Sequence, residues 1–315
     1  MLALEIENLT KDYAIGFWRK RLVRALDGLN LQVEPGEAFG FLGPNGAGKT
    51  TTLKILMRLI YPTAGVARIL GRPLDDMKMR ARIGYLPEQP YFYDYLTARE
   101  FLVYCGTLFD LPKTEAARRA EMLLARVGIA DSADKHLRKF SKGMMQRVGL
   151  AQALINDPEV LFLDEPMSGL DPLGRREVRD LITSLRDRGK TVFFSSHVLT
   201  DVEAMCDRVA ILNRGRLIEA GKLSEILKSR STEVEAIISG VSDVTLAELR
   251  AFAVEVTPTP EGARVRLRSD REVERLLTVI HLAGGRLISV NQVRESLEDL
   301  FVREVSESSR AVHHA

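Results

Sequence analysis

Residues 43–50 read Gly43-Pro44-Asn45-Gly46-Ala47-Gly48-Lys49-Thr50, a complete GxxxxGK[ST] pattern. Glycines let successive backbone N–H groups turn inward around anionic oxygens, and a helix starting at the end of the turn adds the positive potential of its N-terminus. Lys49 supplies a mobile cation for β and γ phosphates, and Thr50 offers a hydroxyl to Mg²⁺. Further along, "VLFLDEP" (160–166) closes on two carboxylates. Asp164 is suited to hold Mg²⁺ through water, and Glu165 to orient and polarise an attacking water. As ordinary structure the pair would be a helix N-cap and a first-turn acid ahead of Pro166. "TVFFSSH" (191–197) ends in His197. Alone, that histidine is a packing residue; beside the other two motifs it becomes a donor to a γ-phosphate. The chemistry these types suit is phosphoryl transfer, which works by positioning and charge stabilisation.

Such residues need rigid elements behind them. "AFGFLGPNGAGKTTTLKILMRLI" passes from an apolar strand through a glycine-rich turn into a helix, the context a phosphate loop requires. The apolar runs before Asp164 and His197 are continuous, as in parallel strands covered on both faces by helices. A carboxylate at the C-terminal end of such a strand points into the crevice where these sheets bind ligands. Residues 3–7 and 29–33 alternate as half-buried strands do. The basic, aromatic stretch between them, "AIGFWRKRLVR" (14–24), reads as an exposed hairpin loop or as a contact with a membrane surface or partner. Residues 91–156 read mostly helical, and "VAILNRGRLIEAG" (209–221) as a hairpin turning at Asn213–Gly215.

Composition excludes several classes. The 315 residues are 45% hydrophobic and 28% charged with a net charge of +2, too mild for a nucleic-acid-binding face. The two cysteines, Cys105 and Cys206, lie far apart without metal-ligand spacing, so both are expected buried and reduced. The N-terminus has no signal-peptide pattern, and no apolar run approaches the ~20 residues of a spanning helix. Any membrane this chain serves is expected to be spanned by another chain.

The set of motifs resembles the ATP-binding subunit of ABC transporters over roughly residues 1–228. GPNGAGKTT matches that family's phosphate loop, extending it to Thr51, "VLFLDEP" its acidic strand, and "SGLD" (168–171) its D-loop with Asp171. "SSH" matches the switch histidine, Gln89 in "YLPEQP" the Q-loop, and Tyr13 the aromatic that stacks on adenine. The resemblance implies ATP and Mg²⁺ as cofactors, with Thr50, Gln89 and Asp164 around the metal. It also implies a head-to-tail homodimer in which each signature motif closes on the other subunit's ATP. Here the signature reads Phe140-Ser141-Lys142-Gly143-Met144 rather than LSGGQ. Ser141 and Gly143 keep the hydroxyl and backbone N–H that reach the γ-phosphate. Lys142 either adds charge beside that phosphate or points to solvent. Met144 lacks the hydrogen-bonding side chain of the usual glutamine. This variant, with the ending "SLEDLFVREV", resembles the branch of single-domain ATPases paired with separate export permeases.

The expected fold is therefore α/β: a P-loop NTPase domain of ABC type with a mainly parallel core sheet, an N-terminal antiparallel β subdomain and a helical subdomain at about 91–156. A small α+β domain follows at 229–306 with β-α-β-β-α-β order, then a tail at 307–315. The expected function is ATP hydrolysis driving export through a separate polytopic permease from the cytoplasmic face of the membrane, with no nucleic acid partner. The alternative is a soluble ABC-type ATPase acting on ribosomes or nucleic acid. A single cassette and the absence of sustained heptads weigh against it.

Overall fold

Alternation of apolar and polar residues makes the first strand, β1 (Leu4–Ile15), two-faced: Leu4, Ile6 and Leu9 are buried while Glu7 and Asn8 face out. A register shift between Ile6 and Leu9, with Asn8 at φ 49°, keeps Leu9 inward despite two successive outward residues. The computed structural model describes residues 1–16, 21–228 and 233–292. β1 pairs antiparallel with β2 (Arg21–Val33) on one side and β4 (Ala64–Ile69) on the other, and β5 (Arg72–Pro73) completes the order β2-β1-β4-β5. The first hairpin is longer than its alternation suggests. Tyr13 pairs with Val23 and Ala14 with Leu22, so most of 14–24 is ladder rather than loop, and an Asp12–Arg24 ion pair of 2.9 Å bridges the two strands. Residues 17–20, with the chain's one tryptophan, lie outside the described residues.

The central sheet has the order β10-β9-β3-β8-β7-β6. β3 (Ala38–Leu42), β6 (Ile83–Leu86), β7 (Val160–Asp164), β8 (Thr191–Ser196) and β9 (Arg208–Asn213) run parallel, and β10 (Arg216–Lys222) returns antiparallel. Every residue of β3, β7 and β8 is buried, as their continuous apolar runs imply. Phe193 is the hub of this layer: Phe39 stacks on it at 5.6 Å and Phe162 tilts against it at 5.7 Å. Between β9 and β10, Arg214 and Gly215 both have positive φ (48° and 80°), the type I′ pairing that matches strand twist. The order of the strands matters most. β8 lies between β3 and β7, so the loops leaving all three at their carboxyl ends are neighbours although they are far apart in sequence.

Helices follow each of these strands: α1 (Lys49–Leu56) after β3, α6 (Pro172–Asp187) after β7, and α7 (Leu199–Glu203) after β8. The short α2 (Met77–Arg80) precedes β6. The insertion between β6 and β7 holds α3 (Ala98–Leu108), α4 (Lys113–Arg126) and α5 (Lys142–Leu154). A full capping box starts α3, with the Thr97 hydroxyl accepting from the Glu100 amide and the Glu100 carboxylate accepting from the Thr97 amide. Both cysteines are free; burial pushes the Cys105 thiol up to about 12 and the Cys206 thiol well above its usual range.

Contacts divide the chain into two compact units, Met1–Leu223 and Ser224–Ala315. After α8 (Leu223–Lys228), the second unit runs β11 (Val234–Ser239), α9 (Asp243–Arg250), β12 (Glu255–Thr259), β13 (Gly262–Leu267), α10 (Asp270–Leu282) and β14 (Arg286–Gln292). Its antiparallel sheet has the order β12-β13-β11-β14, a split β-α-β arrangement, packed over a core that includes Ile238, Leu249, Val265 and Leu276. The element order is the one read from the sequence; the "SLEDLFVREV" segment and the tail lie outside the described residues. Among the described residues, no helix is long and apolar enough to cross a membrane.

Candidate active site

Gly43 ends β3 where no side chain fits: a Cβ there would lie 2.4 Å from the Leu212 carbonyl oxygen on β9. The turn that follows closes on Gly48, whose φ of 110° lies in the left-handed region and which starts α1 without any side-chain cap. The first-turn amides of α1 are thus left to an incoming anion. They open into a cavity of about 480 Å³, lined by the phosphate-loop residues Pro44 to Thr51 together with Ala25, Glu88, Glu165 and His197.

Lys49 is buried and donates to the Gly43 carbonyl at 2.6 Å, with Glu165 Oε1 at 3.5 Å. Its ammonium is thus held by the loop at the cavity wall. Asp164 Oδ1 accepts from Ser195 Oγ at 2.7 Å and from Thr50 Oγ1 at 3.3 Å, while its buried Oδ2 has no partner. Burial pushes the Asp164 carboxyl above its ordinary range, with the Ser195 and Thr50 hydrogen bonds opposing. A carboxylate oxygen without a partner beside a threonine hydroxyl suits Mg²⁺, which takes few protein oxygens and keeps several waters. Thr50 and Asp164 fit that ion.

Glu165 sits at the sharpest point of its loop, with φ at 50°. Its amide donates to Ser195 Oγ at 2.9 Å, and Gln146 Nε2 donates to the Pro166 carbonyl at 3.1 Å and to the Glu165 carbonyl at 3.5 Å. The strained turn is therefore clamped from β8 on one side and from α5 on the other. Glu165 Oε2 lies 2.8 Å from His197 Nδ1. With Nδ1 donating to that carboxylate, Nε2 accepts on the neutral ring and donates only on the imidazolium.

The structure brings Asn45 to Thr51, Glu165 and His197 together around one cavity, with Asp164 hydrogen-bonded to Thr50 behind it, and places Tyr13, Gln89, Ser141, Lys142, Gly143 and Asp171 elsewhere. Tyr13 sits half-buried on β1 with Lys11 Nζ 5.2 Å above its ring; Ala25, not Tyr13, is the hairpin residue that lines the cavity. Gln89 is exposed in the turn after β6, and its neighbour Glu88 lines the cavity instead. Ser141 caps α5, accepting from the Met144 amide at 3.3 Å, so its own proton remains available to another acceptor. Lys142 packs along the loop after β7: a Cβ at Gly169 would lie 2.7 Å from Lys142 Cε, and one at Gly143 3.3 Å from Leu170 Cδ2. Asp171 caps α6 through the Gly174 amide at 2.9 Å. Ser141, Lys142, Gly143 and Asp171 thus start two neighbouring helices, and none lines this chain's own cavity.

Ala25, Glu88, Gln146 and Ser195 hold or line the site and were missed in the sequence. Gln146 and Ser195 are polar residues buried inside otherwise apolar stretches, a signal that could have singled them out. Glu88 carries no such signal.

A strand–loop–helix phosphate cradle, with an acidic pair and a histidine on the adjoining strands, defines a P-loop nucleoside-triphosphate-binding domain. Comparison with known proteins narrows this. The family model described as ABC transporter matches residues 26–168. An ABC transporter ATP-binding protein of Synechocystis is 47% identical over 306 residues, covering 96% of this chain and 85% of that one. The bacitracin transport ATP-binding protein BcrA of Bacillus licheniformis is 36% identical over 284 residues, covering 89% and 92%. A dimeric ATP-binding cassette solved in a post-hydrolysis state with ADP and Pi aligns at a TM-score of 0.65 and 28% identity, over 70% of this chain and 98% of that one. The chain belongs to the ABC transporter ATP-binding protein family.

Proposed function

We propose that this chain hydrolyses ATP with Mg²⁺ as a head-to-tail homodimer and so drives export through a separate membrane permease. The observation that carries the reading is the Glu165 carboxylate at the cavity wall, 3.5 Å from Lys49 and 2.8 Å from His197. Incoming phosphates draw the Lys49 ammonium away from the Gly43 carbonyl and from Glu165. That exchange frees one carboxylate oxygen to accept a proton from water, while Gln146 and Ser195 hold the turn in place. His197 follows the γ-phosphate, as an imidazolium donating through Nε2 or by releasing Glu165 and donating through Nδ1. Thr50, Asp164 and Gln89 would hold Mg²⁺, which when bound would supply positive charge against the phosphates, and Thr51 would donate to a phosphate oxygen.

A second copy supplies what the cavity lacks. Ser141, Lys142, Gly143 and Asp171 stand at helix starts away from their own cavity, so they serve the partner's ATP, the helix N-terminus facing the γ-phosphate. Tyr13 meets the adenine ring at the cavity's outer edge. The dimer is peripheral to the cytoplasmic face of the membrane. Residues 1–228 act as the ATP-binding domain and 229–306 as an accessory domain that strengthens dimer contact.

The permease reading draws on exposed aromatics beside Gln89. Tyr91 is 98% exposed, and the rings of Tyr93, Tyr95 and Tyr104 form a surface cluster with centroids 5.9 Å apart. Relatives named for bacitracin transport and for Nod factor export, the latter 34% identical over 286 residues, support export. The test is Glu165→Gln. Steady-state hydrolysis is expected to fall below detection while ATP produces a stable dimer in analytical ultracentrifugation. A variant that stays monomeric with ATP and still hydrolyses it removes Glu165 from this role.

A further inference from the structure

At the edge of the core sheet opposite the phosphate loop lies a second cavity of about 220 Å³. Arg118, Arg119 and Arg126 of α4 line one side of it, and Arg188 and Lys190, in the turn from α6 to β8, line another. Asp157 and Lys190 precede β7 and β8, whereas Glu165 and His197 follow those same strands, so the length of the sheet separates this cavity from the ATP site. Its floor is apolar, formed by Leu123, Leu154 and Leu185.

The charges in it do not balance. Arg118 and Arg119 both pair with Glu115 at 2.8 Å, and Lys190 takes Asp157 at 2.7 Å. Arg126, half-buried, has one hydrogen bond, to Ser184 Oγ at 3.1 Å, and no carboxylate within ion-pair distance. The Arg188 side chain has neither hydrogen bond nor ion pair among the described residues and is exposed, lining the cavity. Burial and, after it, the charge of Arg188 pull the Arg126 guanidinium below its ordinary range, with Asp157 opposing. Asp157, the one carboxylate among the residues lining the cavity, is already paired with Lys190, so two like charges over an apolar floor are left to a bound dianion. The planar guanidinium fork matches the oxygens of a phosphate.

We propose that this cavity binds a phosphate monoester, its phosphate between Arg126 and Arg188 and its apolar substituent on Leu123, Leu154 and Leu185. Arg126 belongs to the helical insertion and Arg188 to the turn behind the core sheet, so the ligand ties one to the other.

Phenyl phosphate is the probe. The full chain is first saturated with a non-hydrolysable ATP analogue and Mg²⁺, which fills the phosphate loop, and is then titrated by isothermal calorimetry at low ionic strength. Saturable binding is expected in the unaltered protein. Arg188→Gln is expected to weaken it about tenfold, and Arg126→Gln with Arg188→Gln further still, the loss of one and two charge-assisted bonds. Affinity for the ATP analogue stays unchanged in both. Arg188 is exposed at a helix end, so the single variant keeps its fold, checked by its melting curve. A second arm separates the sources of the ligand. Flotation on phosphatidic acid–phosphatidylcholine vesicles, lost in Arg188→Gln, assigns a lipid headgroup; calorimetric binding without flotation assigns a soluble ester. The proposal is overturned if neither phenyl phosphate nor the vesicles bind, or if the double variant binds as well as the unaltered chain. The two arginines would then serve only the C-terminal ends of α4 and α6.

Discussion

Asp164 shows how the residues of this site trade stability for chemistry. Its carboxyl is raised by burial, so its ionised form opposes folding. The sign follows: a raised folded-state pKa means stability fully present below the unfolded value of 3.8 and lost as pH rises through the folded-state pKa. Asp164→Asn is therefore expected to raise the melting temperature at pH 7 and to lose that advantage below pH ~4. Hydrolysis should meanwhile lose its dependence on added Mg²⁺ by ceasing altogether. Thermal unfolding across pH, beside an activity assay, checks both; an unchanged or lowered melting point at pH 7 contradicts the role of burial. Lys49→Ala removes the cation buried in the phosphate loop, and calorimetry should show weaker ATP binding by about tenfold or more. Gln146 touches no substrate; it positions Glu165 through two backbone carbonyls. Gln146→Leu leaves those carbonyls unsatisfied, a cost of about 1–3 kcal/mol. It should lower kcat with ATP affinity unchanged, a split that a general loss of stability would not produce. The phosphate-loop residues together with Glu165 and His197, which line the cavity, were legible in the sequence because types and spacing of that kind are the ones an anion demands. Gln146 and Ser195 were not, because their partners, the Asp164 carboxylate and the main chain of Glu165 and Pro166, lie far away in sequence.

At the scale of elements, legibility followed burial. β7 and β8 are buried along their whole length, and their unbroken apolar runs announce them. The outer part of the first hairpin has no core face. Arg21 to Arg24 are all exposed, so nothing alternates there, and the cross-strand ladder alone extends β1 and β2. The neighbourhood of the three loops at the sheet's carboxyl edge depends on strand order, which no local pattern encodes. The start of α3, in contrast, is written in Thr97 and Glu100. Thr97→Ala should cost about 1 kcal/mol through loss of the cap, read as a lower urea midpoint. It should leave ATP affinity unaltered, since neither residue lines the ATP cavity. No change in midpoint would mean that tertiary packing alone sets that boundary.

Across the whole molecule, the phosphate-loop cavity is walled by the phosphate loop and the acidic turn, and the helix starts at Ser141 and Asp171 lie away from it. The proposed head-to-tail pair would satisfy both halves at once, each Ser141 meeting the other's phosphate loop. The most direct measurement is a disulfide between the two. Asn45→Cys and Ser141→Cys are placed in one Glu165→Gln chain; the native thiols stay protonated, Cys105 near 12 and Cys206 well above its usual range, and compete little. With ATP and Mg²⁺ under mild oxidation, the expected result is a covalent dimer on a non-reducing gel that is absent without nucleotide. Monomer alone under those conditions, or a dimer band indifferent to ATP, would contradict a site completed by the second copy.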